Sequence, residues 1–182
     1  MQPPIVVFGS NLLTALVVLS QILILVFIFV YFKDKNNPAS KEFNFLKKHS
    51  LFVAFIVALT ATLGSLFYSE IAHYNPCKFC WFQRIFIYPQ VFILGIALWK
   101  KDYSVWLYSI VLSIIGGLIA LNHYILQMTG TSIFPCSAVG QSVSCSKVFV
   151  THLGYITIPL MAFSAFALMI ICMMFVRNES KK

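Results

Sequence analysis

The feature that most limits what this chain can fold into is a set of five long runs almost free of charge, at about residues 5–32, 51–69, 81–99, 103–128 and 155–176. A helix needs roughly 20 residues to cross a hydrocarbon core of about 30 Å, and four of the runs come close to or exceed that length unaided. The third is interrupted by Arg84, which leaves only residues 85–99 uncharged. At about 1.5 Å per residue these span roughly 22 Å, so residues 81–84 are expected at headgroup depth. None of the runs shows the in–out alternation of a membrane strand, and a helix satisfies its own backbone amides in lipid. Composition closes the alternatives. The chain is 60% hydrophobic and 10% charged, where a soluble domain carries roughly 25% charged residues. Its 18 Phe, 8 Tyr and 3 Trp exclude disorder. The expected fold is all-α and polytopic, and no internal repeat is present. The first run exceeds the usual 7–15-residue core of a secretory signal, and Met-Gln-Pro-Pro before it carries no Lys or Arg. It is expected to be a retained helix.

The net charge of +8 could point to nucleic acid, but the positions of the basic residues give another reading. Lys33, Lys35, Lys41, Lys47 and Lys48 lie in the first connection, Lys100 and Lys101 in the third, and Arg177, Lys181 and Lys182 in the tail. Only Lys78, Arg84 and Lys147 lie on the other side. By the positive-inside rule the larger group is cytoplasmic, which places the N-terminus outside, the C-terminus inside and no nucleic acid among the partners. Residues 33–50, with Asn36-Asn37-Pro38, read as a cytoplasmic turn or flexible link. The connections 69–80 and 129–154 then fall outside, and they hold four of the five cysteines.

Cys77 and Cys80 form a Cys-x-x-Cys pair, Cys136 and Cys145 are nine apart, and Cys172 stands alone in the last run. Outside the cytoplasm such cysteines are expected to be oxidised in pairs, Cys77–Cys80 and Cys136–Cys145. A Cys-x-x-Cys bridge closes too small a loop to stabilise a fold much, and redox proteins use this spacing to tune thiol reactivity. The pair also stands at the start of a helix, whose dipole favours a thiolate. Haem attachment would require His where Trp81 stands. A zinc site of all four outward cysteines is conceivable, but small loops capped by a membrane do not need a metal to fold, and no metal is expected. For Cys136 and Cys145, in the small-residue segment from Phe134 to Cys145, redox and structural readings stand level. Arg84 follows Cys80 by one helical turn and shares its face, where it can favour a thiolate and hold charge on a redox acceptor. With no flavin, haem or iron–sulfur signature, the acceptor expected in the bilayer is a quinone, beside Cys80 and Arg84 and near Trp81, Phe82 or Phe86. Cys172 is read as a buried hydrophobe and Gly116-Gly117 as close helix packing. His123, toward the outer end of the fourth run beside Tyr124, is a candidate for contact with a quinone or proton path, but is read first as a packed, hydrogen-bonded residue. His73, His152 and Glu70 are candidate proton acceptors, with nothing to choose among them.

The run Pro76-Cys77-Lys78-Phe79-Cys80-Trp81-Phe82-Gln83-Arg84 through Pro89 resembles the first active loop and following helix of the bacterial disulfide bond formation protein B (DsbB) family, nearest its BdbC-like branch. Cys136, Cys145 and Gly154-Tyr155-Ile156-Thr157-Ile158-Pro159 resemble its second cysteine loop and last helix. The resemblance covers about residues 51–176. It implies a four-helix transmembrane bundle that carries electrons from a DsbA-like thioredoxin-fold thiol oxidase to a membrane quinone, ubiquinone or menaquinone, in the cytoplasmic membrane. It further implies that the partner attacks Cys136, that Cys145 exchanges with Cys77, and that Cys80 engages the quinone with Arg84 beside it. The additional N-terminal helix departs from that pattern. The expected organisation is thus residues 1–50 as helix and linker, 51–176 as thiol oxidase core and 177–182 as tail. Two other readings remain. One is a non-enzymatic membrane subunit stapled by disulfides; the other is a vitamin K epoxide reductase-like flow, against which the Cys-x-x-Cys pair comes first in the chain.

Overall fold

In a computed structural model, residues 3–34, 41–131, 136 and 144–180 are described. The expectations for Lys35, the Asn36-Asn37-Pro38 turn, residues 134–135 and 137–143, and Lys181 and Lys182 lie outside them. Five helices form: α1 (Pro4–Asp34), α2 (Lys41–Leu66), α3 (Lys78–Lys100), α4 (Trp106–Thr129) and α5 (Ile158–Ser180). Each is long and apolar enough to cross a membrane, so the protein is polytopic and all-α. The described residues form no strand beyond an isolated bridge between His152 and Ile156.

Helices α2, α3, α4 and α5 pack as a ring in which each touches the next and α5 returns to α2, while α1 lies outside on α5 and, less extensively, α2. Because α5 touches each of the other four helices, it carries most of the core: Phe166, Met169, Cys172, Met173 and Phe175 are fully buried. In lipid such association rests on close packing. Gly116 of α4 provides it, since a Cβ there would overlap the Phe166 ring, as the Gly-Gly pair suggested. Within α3, Pro89 cannot donate to the ladder. One residue on, Gln90 donates to the Phe86 carbonyl (3.0 Å) and accepts from Ser109 (2.7 Å) and Ser113 (3.2 Å) of α4. This buried polar junction holds α3 against α4. Phe8, Phe29, Phe92 and Trp99 point outward, as lipid-facing side chains do.

Two sequence boundaries need correction. The segment read as a link up to Ser50 is helical from Lys41 onward, because Phe43, Leu46, Lys47 and Ser50 recur at helical spacing and turn inward. The last helix starts at Ile158, not at 155. Leu153 and Gly154 have positive φ (52° and 77°) and turn the chain into a small hairpin before Pro159 enters the first helical turn, where its missing amide costs nothing. At the opposite end, Lys101 closes α3 in the left-handed conformation, and the Asp102 carboxylate accepts from the Ser104 amide (2.8 Å) and hydroxyl (2.6 Å).

Candidate active site

Cys77 caps the N-terminus of α3 in extended conformation and Cys80 lies in its first turn, so the spacing of three puts both sulfurs on one side of the helix end. Their Sγ atoms are 3.3 Å apart and share a hydrogen bond. The two sulfurs are thus adjacent but unbonded, in the positions the expected Cys-x-x-Cys pair requires, while Cys136 and Cys145 are bonded to each other. Cys77 is 3% exposed and Cys145 2%, and both pack with Phe79, Cys80, Cys136, Ile119 and Leu126. The second pair thus lies folded onto the first, with Cys136 the half-buried member.

His123 joins the two pairs, a role its sequence context did not reveal. It is 1% exposed, and its Nε2 lies 3.1 Å from the Cys145 carbonyl and 3.6 Å from Cys77 Sγ. A carbonyl only accepts, so Nε2 carries the proton, and Nδ1 accepts from Gln83 Nε2 at 3.2 Å. That orients the ring so that its Nε2–H points between Cys77 and the second pair. The hydrogen bond from Cys80 holds the Cys77 thiol well below its ordinary value, against the effect of burial, and His123 acts in the same direction.

Arg84 is anchored on α2. Its Nε donates to Ser65 Oγ (2.9 Å) and an Nη to the Ser65 carbonyl (3.0 Å) on α2, and its guanidinium lies over Trp81 (5.2 Å). Among the described residues no hydrogen bond joins it to either sulfur. It meets Cys80 instead as a co-lining residue of a cavity of ≈ 350 Å³. At one end of this cavity stand Cys80, Gln83, Arg84 and Tyr68, and the rest is walled mostly by apolar side chains of α1, α2 and α5, with Ser20 and Thr60 among them. Trp81, Phe82 and Phe86 are not in its lining. The aromatic wall is Tyr68, Tyr74 and Phe149, with centroids 5.9 and 4.9 Å apart in near-parallel stacking. Local backbone explains it: α2 ends in a π-helical turn, Phe67–Ile71, and His73 at φ 55° turns the chain so that the Tyr74 amide donates to the Tyr68 carbonyl (2.9 Å). Tyr74, an aromatic three residues before Cys77, was visible in the sequence, but its stacking partner Phe149 was not.

A second, narrow crevice is lined by Cys77, Cys80, His123 and Lys147. Cys80 is the cysteine common to both spaces. Cys77, Cys80 and His123 also place three soft ligand atoms within 4.8 Å, whereas the four-cysteine zinc set is not formed, Cys136 and Cys145 being bonded to each other. His73 and Glu70 are exposed and His152 half-buried in its hairpin, none of them among the residues lining the cavity. Cys172 is buried in α5, as read.

Residues 47–176 match the family model described as "Disulfide bond formation protein DsbB". The chain is 46% identical over 121 residues to the SPbeta prophage-derived disulfide bond formation protein B of Bacillus subtilis, covering 66% of this chain and 80% of that protein. It is 42% identical over 134 residues to disulfide bond formation protein C of Bacillus subtilis, covering 72% and 95%. With the probable disulfide formation protein C 1 of Bacillus anthracis it shares 40% identity over 126 residues, 69% and 90% of the two chains. No solved structure matches.

Proposed function

The chain belongs to the DsbB family of disulfide bond formation proteins, and on that premise we propose that it reoxidises a reduced thioredoxin-fold, DsbA-like partner and passes the electrons to a membrane quinone. Its coarse activity is that of a multi-pass membrane thiol–disulfide oxidoreductase. The observation that carries the finer reading is the position of Cys80, between the crevice beside the second cysteine pair and the cavity that runs into the bundle.

The cavity's dimensions suit a quinone. A polar end with a sulfur, an amide and a guanidinium can take the ring, the apolar remainder a hydrocarbon tail, and the volume falls within the usual range for small-molecule pockets. When bound, the quinone takes up two electrons and two protons, those released as Cys77 and Cys80 close to a disulfide. A partner thiolate attacks Cys136, breaking the Cys136–Cys145 bond and freeing Cys145. The second partner thiol releases the partner as a disulfide, and the resulting dithiol reduces Cys77–Cys80 through attack of Cys145 on Cys77. Each step is thiolate attack on a disulfide. His123 donates toward Cys77 and supports its negative charge during exchange. Arg84, fixed by Ser65, holds positive charge where the acceptor oxygen becomes negative. The distribution of basic residues supports a position of both cysteine loops on the extracytoplasmic face of a bacterial cytoplasmic membrane.

The test is quinone-dependent oxidation of a reduced DsbA-like protein by the purified chain in lipid. Cys80→Ser removes turnover, and Arg84→Ala lowers kcat/KM roughly 10²-fold. Wild-type rates in both would instead favour a structural subunit. A partner whose second cysteine is replaced by Ser cannot be released after it breaks the Cys136–Cys145 bond, so it accumulates as a mixed disulfide that mass spectrometry locates at Cys136.

A further inference from the structure

The family match begins at residue 47, so α1 lies outside it, yet α1 is one wall of the cavity that opens at Cys80. The helix is docked at both ends. Near its start, Gly9 lies against the Phe67 ring so closely that a Cβ would overlap it, and Leu13 rests on Gly64. Near its end, Phe27 and Tyr31 meet the Phe175 ring, each with centroids 5.6 Å apart. Between Thr14 and Phe27 no residue of α1 is buried, and this is where Leu16, Ser20 and Leu23 face the cavity opposite Val53 and Val57 of α2. From Leu13 to Leu23 the wall runs roughly 15 Å along the helix, about half the hydrocarbon thickness. It continues from the polar end without a charged side chain beyond Arg84.

Resting on the quinone reading above, we propose that α1 is the specificity wall for the acceptor's hydrocarbon tail. Leu16, Ser20 and Leu23 hold a polyprenyl chain against α2, and the protein thereby favours long-tailed quinones over tail-less ones. The ring stays with Cys80 and Arg84. Binding the tail lowers KM without touching the reacting atoms.

The test compares KM for a long-tailed polyprenyl quinone with KM for a tail-less benzoquinone, in the full chain in lipid. Ser20→Trp fills the groove and raises KM for the long-tailed quinone about tenfold or more, with KM for the tail-less one held within about twofold. Leu16→Ala with Leu23→Ala loosens the groove and moves the long-tailed KM in the same direction by a smaller factor, which decides the matter if the Trp variant does not fold. Leu25→Trp, on the exposed face, changes neither. Exchange of the Cys136–Cys145 disulfide with a small dithiol is unaffected in all of them and reports on folding. Equal KM shifts for both quinones, or none for either, overturn the assignment of α1. If the wild-type protein reduces neither quinone, it is the quinone reading that falls.

Discussion

The two ends of this bundle are made from the same helices and the same kinds of side chain, yet one is closed and the other open. At the basic end the buried Phe175 ring is met by Phe27, Tyr31 and Phe43 at 5.6, 5.6 and 5.3 Å, and Arg177 lies over Trp106 at 5.1 Å. At the cysteine end Tyr68, Tyr74 and Phe149 stack on one another, and beside them a cavity remains. The difference lies in the backbone that presents the rings. Those of the basic end come from helix bodies that converge on α5. Tyr74 and Phe149 come from connections, and Tyr68 from the π-helical turn that ends α2. Rings held edge-on between helices fill space, whereas rings stacked at a helix end form a wall and leave space beside it.

The sharpest way to break this comparison is Phe175→Ala. Emptying the closed end costs roughly 3–5 kcal/mol, read as a lower Tm in detergent, while turnover per folded molecule stays near wild type. A loss of turnover without a loss of Tm would mean that the two ends are coupled. Next comes His123→Ala. His123 is one of the groups that hold the Cys77 thiol low, so removing it raises that value and moves the pH profile of Cys77 alkylation, followed by mass spectrometry, to higher pH. Stability follows with the same sign. A thiol held low when folded contributes stability above its unfolded value, and this is lost as pH falls through the folded value. The wild-type advantage over His123→Ala is therefore greatest at alkaline pH, and an unmoved profile would reduce His123 to a packing role.

Ser65→Ala is a finer probe of the open end, because Ser65 Oγ accepts from Arg84 Nε (2.9 Å) and from the Tyr88 hydroxyl (3.2 Å). On the quinone reading, loss of this anchor lowers kcat/KM for the quinone about fivefold, the worth of roughly one hydrogen bond, with thiol exchange at Cys136–Cys145 unchanged; an unchanged kcat/KM would contradict a positioning role. The smallest effect belongs to Asp102 at the basic end, whose carboxyl is held below the ordinary carboxylate range by its bonds to Ser104. Its contribution is complete above the unfolded value and disappears as pH falls through the folded one. The Tm difference between wild type and Asp102→Ala thus closes at acid pH, with turnover unchanged throughout.

Much of the site was legible because it is local. Cys77 and Cys80 sit on one helix end by spacing alone, and Arg84 follows by one turn, so their meeting needs only a helix. Trp81 shows the limit of that logic. It adjoins Cys80 in sequence but stands outside the cavity under Arg84, since successive residues of a helix point about 100° apart. The helix from Lys41 to Ser50 is hard to read for a different reason. Its lysines and the preceding Asn-Asn-Pro have the composition of a linker, although Phe43, Leu46, Lys47 and Ser50 recur at helical spacing. The sequence put His123 at the outer end of its helix but could not name its partners, because its contact with Cys77 spans 46 residues and exists only through the packing of α3 on α4.

By itself, then, the sequence determined the solvent, the number of spans and the chemistry at the head of α3, because hydropathy, charge and i, i+3 spacing act over a few residues. Tertiary structure decided what surrounds that chemistry: that the second cysteine pair lies on the first, that His123 stands between them, and that α1 walls the cavity reached by Cys80. Those relations join residues far apart in the chain, and they are set by which helix faces pack against which. No run of neighbouring residues encodes that choice.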